Sequence, residues 1–249
     1  MAAPQRFIAL EEHCVTAELK AALDGLDSPN LRYTPQFMED GLIDLADVRI
    51  AAMDRLGIDV QVLSHRPPGA QFADPATAVF HARQANDAIA AAIDRHPTRF
   101  AGFATLPLSD PPAAVQELAR CVGPLGFKGA MVHGRVGGEF LDHPEFDPIL
   151  RAAAELEVPI FLHPGEVDPA VRNIYYDHLQ GPPEVRQTLE VIFASAGWGW
   201  HIEAGTHALR LILSGVFDRY PHLQMILGHW GEMVPFFIHR FDAVMSVAT

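Results

Sequence analysis

Cysteine is nearly absent: Cys14 and Cys121 are the two in 249 residues. So few exclude a disulfide framework and any cysteine-based zinc site, and a reducing compartment suits them. Basic side chains are scarce too, 18 Lys and Arg against 31 Asp and Glu, a net charge of −13. That balance speaks against nucleic acid and anionic membrane as partners, since both reward clustered cations. No apolar run nears the roughly 18–20 residues that a membrane span needs. Residues 1–5 lead straight into a strand-like segment with neither a basic nor an apolar leader, so no signal peptide and a cytoplasmic location are expected. No G-x-G-x-x-G follows the first strand, and there is no Walker loop, G-x-S-x-G elbow or internal repeat. Dinucleotide, phosphate-loop and serine-nucleophile chemistry therefore lack their sequence signatures.

What is present is a globular composition, 49% hydrophobic and 20% charged, with short apolar runs alternating with helical patterns. Strands are expected near Phe7–His13, Val60–His65, Phe100–Pro107, Phe127–His133, Val158–His163 and Gln224–His229. Helices are expected near Leu45–Leu56, Pro75–His96, Pro111–Val122, Glu145–Leu156, Thr206–Tyr220 and Val234–Val247. Asp74-Pro75 and Asp110-Pro111 each pair an N-cap with a proline at the first helical position. Apolar strands alternating with helices imply a parallel sheet. Two insertions, near 14–44 and 164–205, interrupt the rhythm; the first holds turn signals at 27–30 and 33–35. Long connections at a barrel mouth cover pockets or meet neighbouring subunits. The expectation is one barrel domain over residues 1–249.

The chain carries 13 histidines, and five of them, His13, His65, His133, His163 and His229, end strands. Strand carboxyl ends converge on one mouth in a (β/α)₈ barrel, which favours that fold over an open doubly wound sheet. Residues two apart share a strand face, so Glu11 and His13 point together and Glu12 points away. With His163 they make a mixed oxygen and nitrogen set suited to Zn²⁺, Mn²⁺ or Fe²⁺. Glu232 stands three residues after His229, close enough to orient its imidazole. Arg240 can bind a carboxylate, although a late-helix arginine is more often a surface or interface residue, which makes it a weak candidate. His65 and His133 read as pocket-lining or structural. The remaining histidines, His201 and His207 among them, receive no role. Asn86 and Asp87 read as a polar helix face, and Cys14 as a small buried thiol.

The segments IALEEH (8–13), FLHP (161–164), HALRL (207–211) with SGVFD (214–218), and ILGHWGE (226–232) resemble the amidohydrolase-related metal-dependent decarboxylases. The gamma-resorcylate and 2,3-dihydroxybenzoate decarboxylase branch is the nearest, and the likeness runs over essentially the whole chain. It implies a TIM-barrel carboxy-lyase with one divalent ion, Zn²⁺ or Mn²⁺, held by Glu11, His13 and His163. It places His229 at an aromatic carboxylate substrate, Glu232 behind it, and Arg240 within reach of the pocket. It also implies a homodimer or homotetramer. In such proteins a further ligand and proton carrier comes from an Asp at the end of the eighth strand. No Asp here matches that position, and Asp242 falls on a helix. The expectation is therefore an incomplete barrel with about six of eight strands. Two rival readings stand beside the lyase. One is a metal-dependent hydrolase of an amide or lactone on the same barrel, which would want a bridging lysine where Lys128 sits at the wrong end of its strand. The other is a truncated, inactive fragment.

Overall fold

The computed structural model describes residues 6–26 and 41–247, so the turn signals at 27–30 and 33–35 lie outside the described residues. The elements are β1 (Ile8–Cys14), α1 (Ala17–Asp24), α2 (Asp47–Leu56), β2 (Val60–His65), α3 (Pro75–Arg95), β3 (Phe100–Gly102), β4 (Ala104–Thr105) and α4 (Pro111–Val122). After these come β5 (Ala130–His133), α5 (Asp147–Glu155), β6 (Ile160–His163), α6 (Pro169–Tyr175), α7 (Pro183–Ala194), α8 (Gly199–Leu213), α9 (Val216–Arg219), β7 (Met225–Leu227) and α10 (Val234–Met245).

All strand pairs are parallel, in the orders β1-β2-β3 and β4-β5-β6-β7. The two sheets meet within one expected strand. Phe103 alone separates β3 from β4; its N–H donates to Leu63 on one side, while the next N–H, of Ala104, donates to Gly129 on the other. Six strand positions therefore form a partial barrel, as the sequence led us to expect. Among the described strands, β1 and β7 each pair on one side only.

Alternation along the strands builds two environments. Val62, Phe103, Met131 and Phe161 form a buried layer inside the arc, with Ala101 and Ile226 packed against it. Their alternates Leu63, Ala104, Val132 and Leu162 join the larger core under the helices, with Ile89, Leu118, Ile149 and Leu150. Each large side chain fully removed from water contributes about 1.5–3 kcal/mol. The helix starts behave as read: the Asp74 and Asp110 carboxylates accept from Thr77 N–H and Ala113 N–H.

Three expectations change. The helix read at Thr206–Tyr220 begins earlier, at Gly199, and breaks where Gly215 adopts a left-handed conformation between α8 and α9. Periodicity marked its apolar stripe but not its Trp- and His-rich first turn. The insertion at 164–205 is largely helical, carrying α6, α7 and the start of α8. Asn86 is not on a polar surface: it is fully buried, donating to the Thr105 carbonyl and to Glu117 while accepting from Thr105 N–H. Its neighbours on the helix hid a role that depends on strand β4.

Candidate metal centre at the strand ends

One step above the Val62–Phe103–Met131–Phe161 layer, the same alternation brings Ser64, Thr105, His133 and His163 to the mouth. β1 adds Glu11 and His13 from a strand whose register slips between Ala9 and Glu12. The extra residue is a bulge, which re-aims the strand end. Past it, Glu11 and His13 share a side as expected, with Oε1 and Nε2 3.7 Å apart.

Glu11 Oε1 is the centre of the cluster. It lies 3.2 Å from His163 Nε2 and 3.2 Å from His229 Nε2, and His13 Nε2 is 3.2 Å from His163 Nε2. Gly228, two residues beyond Ile226, leaves the space: a Cβ there would stand 2.7 Å from Glu11 Oε2. The imidazoles are fixed from behind. His163 Nδ1 donates to the Pro164 carbonyl at 2.7 Å, leaving the Nε2 lone pair facing the cluster. His13 Nδ1 is 3.2 Å from Ser64 Oγ. His229 Nδ1 is 2.7 Å from Glu232 Oε1, the orientation expected from their spacing.

Burial works against ionising Glu11, but the His163 and His229 imidazoles around it outweigh burial and hold the carboxyl well below its usual range. Burial, then His163, pushes His13 down to about 3. Hydrogen bonds to Glu11 and then Glu232 raise His229 to about 10. The Glu11 carboxylate oxygen and the Nε2 lone pairs of His163 and His13 repel at this spacing unless a cation lies between them. Ligands bonded to a divalent ion at about 2.0–2.2 Å stand about 3.0–3.5 Å apart, so the donor set and its spacing fit one such ion. Glu11, His163 and His229 also qualify together as a set, as do His201, His229 and Glu232.

His133 is buried beside the cluster, its ring 5.2 Å from that of His163. Burial first, then His163 and His13, holds it well below its ordinary value. Neither of its ring nitrogens has a partner among the described residues, nor does Trp200 Nε1, on a ring 6.3 Å from that of His163. His65 is structural: it faces outward, its Nε2 3.0 Å from the Ala85 carbonyl. Cys14 is fully buried and burial raises its thiol to about 12, in keeping with an inert core residue. Arg240 is exposed on α10, away from the contacts of the cluster. Lys128 is exposed two residues before β5, at the opposite end of that strand from His133.

Sequence reasoning missed two histidines. His207 is fully buried and its Nε2 accepts from Leu141 N–H at 2.8 Å. His201 Nδ1 is 2.8 Å from Glu232 Oε2. Neither carries a local signal, because each partner lies 31 or more residues away.

Residues 32–248 match the amidohydrolase family. The gamma-resorcylate decarboxylase of Polaromonas sp. is 39% identical over 248 residues, covering 94% of this chain and 70% of that protein. A dihydroxybenzoic acid decarboxylase from Polaromonas sp. with bound manganese and the inhibitor 2-nitroresorcinol superposes with a TM-score of 0.80 at 36% identity, covering 95% of this chain and 69% of that one. The 5-carboxyvanillate decarboxylase of Novosphingobium aromaticivorans, complexed with manganese and 4-hydroxy-3-methoxy-5-nitrobenzoic acid, gives a TM-score of 0.85 at 32% identity, covering 97% and 70%. By sequence match and by fold, the chain belongs to the amidohydrolase family, among its decarboxylase relatives.

Proposed function

We propose that this chain carries the metal-dependent, non-oxidative decarboxylation of a hydroxylated aromatic carboxylic acid. The observation that carries the reading is the convergence of Glu11, His13 and His163 on one point, with His229 beside it. The manganese-bound decarboxylases of the same fold support it.

Glu11, His13 and His163 would hold one divalent ion, with Mn²⁺ favoured by the relatives and Zn²⁺ suited to the same donors. When bound, the ion supplies a Lewis acid for the substrate's carboxylate and adjacent phenol oxygen. The residues do the rest. Glu11 offers its oxygen without a proton, because the histidines around it keep it ionised. His163 and His13 keep their Nε2 lone pairs turned inward through the Pro164 carbonyl and Ser64. His229, oriented by Glu232 and protonated at Nε2 where it faces Glu11, stabilises the phenolic oxygen by donating to it. A proton drawn from solvent adds to the ring carbon that bears the carboxylate and interrupts aromaticity. The ring-to-carboxylate bond then breaks, its electron pair returns to the ring, and aromaticity is restored as CO₂ leaves. Arg240 is the proposed cationic contact for the substrate. The chain works as a single barrel domain, and the proposal extends to a cytoplasmic homodimer or homotetramer. Exposed apolar side chains such as Ile174 and Tyr175 on α6 and Phe236 and Phe237 on α10 support self-association.

The test uses purified protein loaded with Mn²⁺ or Zn²⁺ and supplied with 2,6- or 2,3-dihydroxybenzoate. CO₂ release with stoichiometric phenol supports the proposal. Metal-loaded, folded protein that releases none from any hydroxybenzoate overturns it. Metal content should fall to near zero in Glu11→Ala and His163→Ala, and unchanged content in both would refute the ligand set.

A further inference from the structure

Behind His229 the backbone does something unusual. His229, Trp230, Gly231, Glu232 and Met233 have φ of 43°, 63°, 84°, 51° and 65°, five consecutive left-handed residues. Four are not glycine, and side-chain-bearing residues rarely adopt this conformation, so the surroundings must over-determine the turn. The Glu232 side chain sits within it, fully buried, and both carboxylate oxygens are used: Oε1 faces His229 Nδ1 at 2.7 Å and Oε2 faces His201 Nδ1 at 2.8 Å.

His201 comes from the first turn of α8. Its other nitrogen, Nε2, lies 3.0 Å from the Ala196 carbonyl. A carboxylate accepts, so the bond to Glu232 forms when His201 Nδ1 donates. One helical turn along the same face stands Gly205, where a Cβ would be 2.5 Å from the Glu232 carbonyl oxygen. Two residues of one helix face therefore seat Glu232: Gly205 admits its backbone and His201 holds its side chain.

We propose that His201 is a positioning residue for the decarboxylation site. It donates from Nδ1 and so pins the Glu232 carboxylate, whose other oxygen accepts from His229 Nδ1 and leaves His229 Nε2 facing the mouth. His201 touches neither the substrate nor the strand-end ligands; it acts through Glu232. The inference rests on the functional reading above only for its consequence in catalysis, because the hydrogen-bond chain is readable without turnover.

The experiment is long-range ¹H–¹⁵N correlation of the imidazole nitrogens in Zn²⁺-loaded wild type and His201→Phe, with near-UV circular dichroism to establish the fold. Expected for wild type are a protonated Nδ1 on His201 and a protonated Nδ1 on His229. In His201→Phe the His229 ¹⁵N pattern should shift toward mixed tautomers. A wild-type His201 with an unprotonated Nδ1, or a His229 pattern unchanged in a folded His201→Phe, overturns the proposal. Should that variant fail to fold, Glu232→Gln serves: one amide oxygen cannot accept from both rings, so both histidines should change signature together, and a change in His229 alone overturns the proposal. Metal analysis adds a further criterion. One ion per chain in wild type and His201→Phe is expected, whereas two falling to one would assign His201 to a second metal instead. If turnover exists, kcat should drop about tenfold in His201→Phe with KM within twofold. An inactive wild type with the expected ¹⁵N pattern would count against the functional reading and leave the positioning role standing.

Discussion

Gly228 shows how much one hydrogen atom decides. Any side chain there would meet Glu11 Oε2 at 2.7 Å and the Phe161 ring at 3.2 Å. Gly228→Ala should therefore displace the Glu11 carboxylate rather than unfold the chain. The expected outcome is at least a tenfold loss of Mn²⁺ affinity by isothermal titration, with the unfolding midpoint nearly kept. A variant that binds metal as wild type does would show that Glu11 is not the central ligand. Glu11→Gln is the charge-only counterpart. It keeps the volume but removes the anion between His163 and His229, and should weaken metal binding about a hundredfold. Glu11, His13 and His163 were readable from one strand's alternation and a strand-end pattern. Gly228 was not, because its purpose lies on a different strand.

At the level of elements, α3 is tied to β4 and α4 by Asn86 and Glu117. The Asn86 amide serves both the N–H and the carbonyl of Thr105, and Glu117 binds Asn86 and Arg120, which also reaches Asp87. Asn86→Ala strands these buried groups without partners, and should cost about 3 kcal/mol in urea unfolding. Asn86→Asp should cost more at neutral pH, since it sets a second carboxylate against Glu117. Equal stability of the two variants would refute the electrostatic part of that argument. The helix itself was legible from its Asp-Pro start and its alanine stripe. The role of Asn86 was not, since helical periodicity says which face is buried but not which polar group waits on the other side.

For the whole molecule, buried neutral histidines set the acid limit. Burial pushes His65 down to about 4 and His207 to about 3, against about 6.5 in an unfolded chain. Between those values the unfolded chain binds more protons, so these groups lower stability as pH drops below about 6.5 and add no pH dependence above it. His229, raised to about 10, instead contributes stability that is lost as pH rises from about 6.5 toward 10. His207→Gln keeps an acceptor for Leu141 N–H and removes one titrating group. Its stability should decline less steeply than wild type's between pH 6.5 and 5, measured by urea midpoints. Parallel declines would show that His207 is not a source of the acid sensitivity.

By itself, the sequence determined the parallel α/β arrangement, the six strand positions and the strand-end histidines, because apolar alternation and capping are local and periodic. It also placed His229 and Glu232 together, since three residues of chain cannot separate them far. Only the tertiary structure decided that the third strand divides its hydrogen bonds between two neighbours at Phe103. It alone brought His201 to Glu232, and set Gly228 and Gly205 where close approach demands them. Those contacts join residues far apart along the chain, and their energies depend on the distance between elements, which no local pattern encodes.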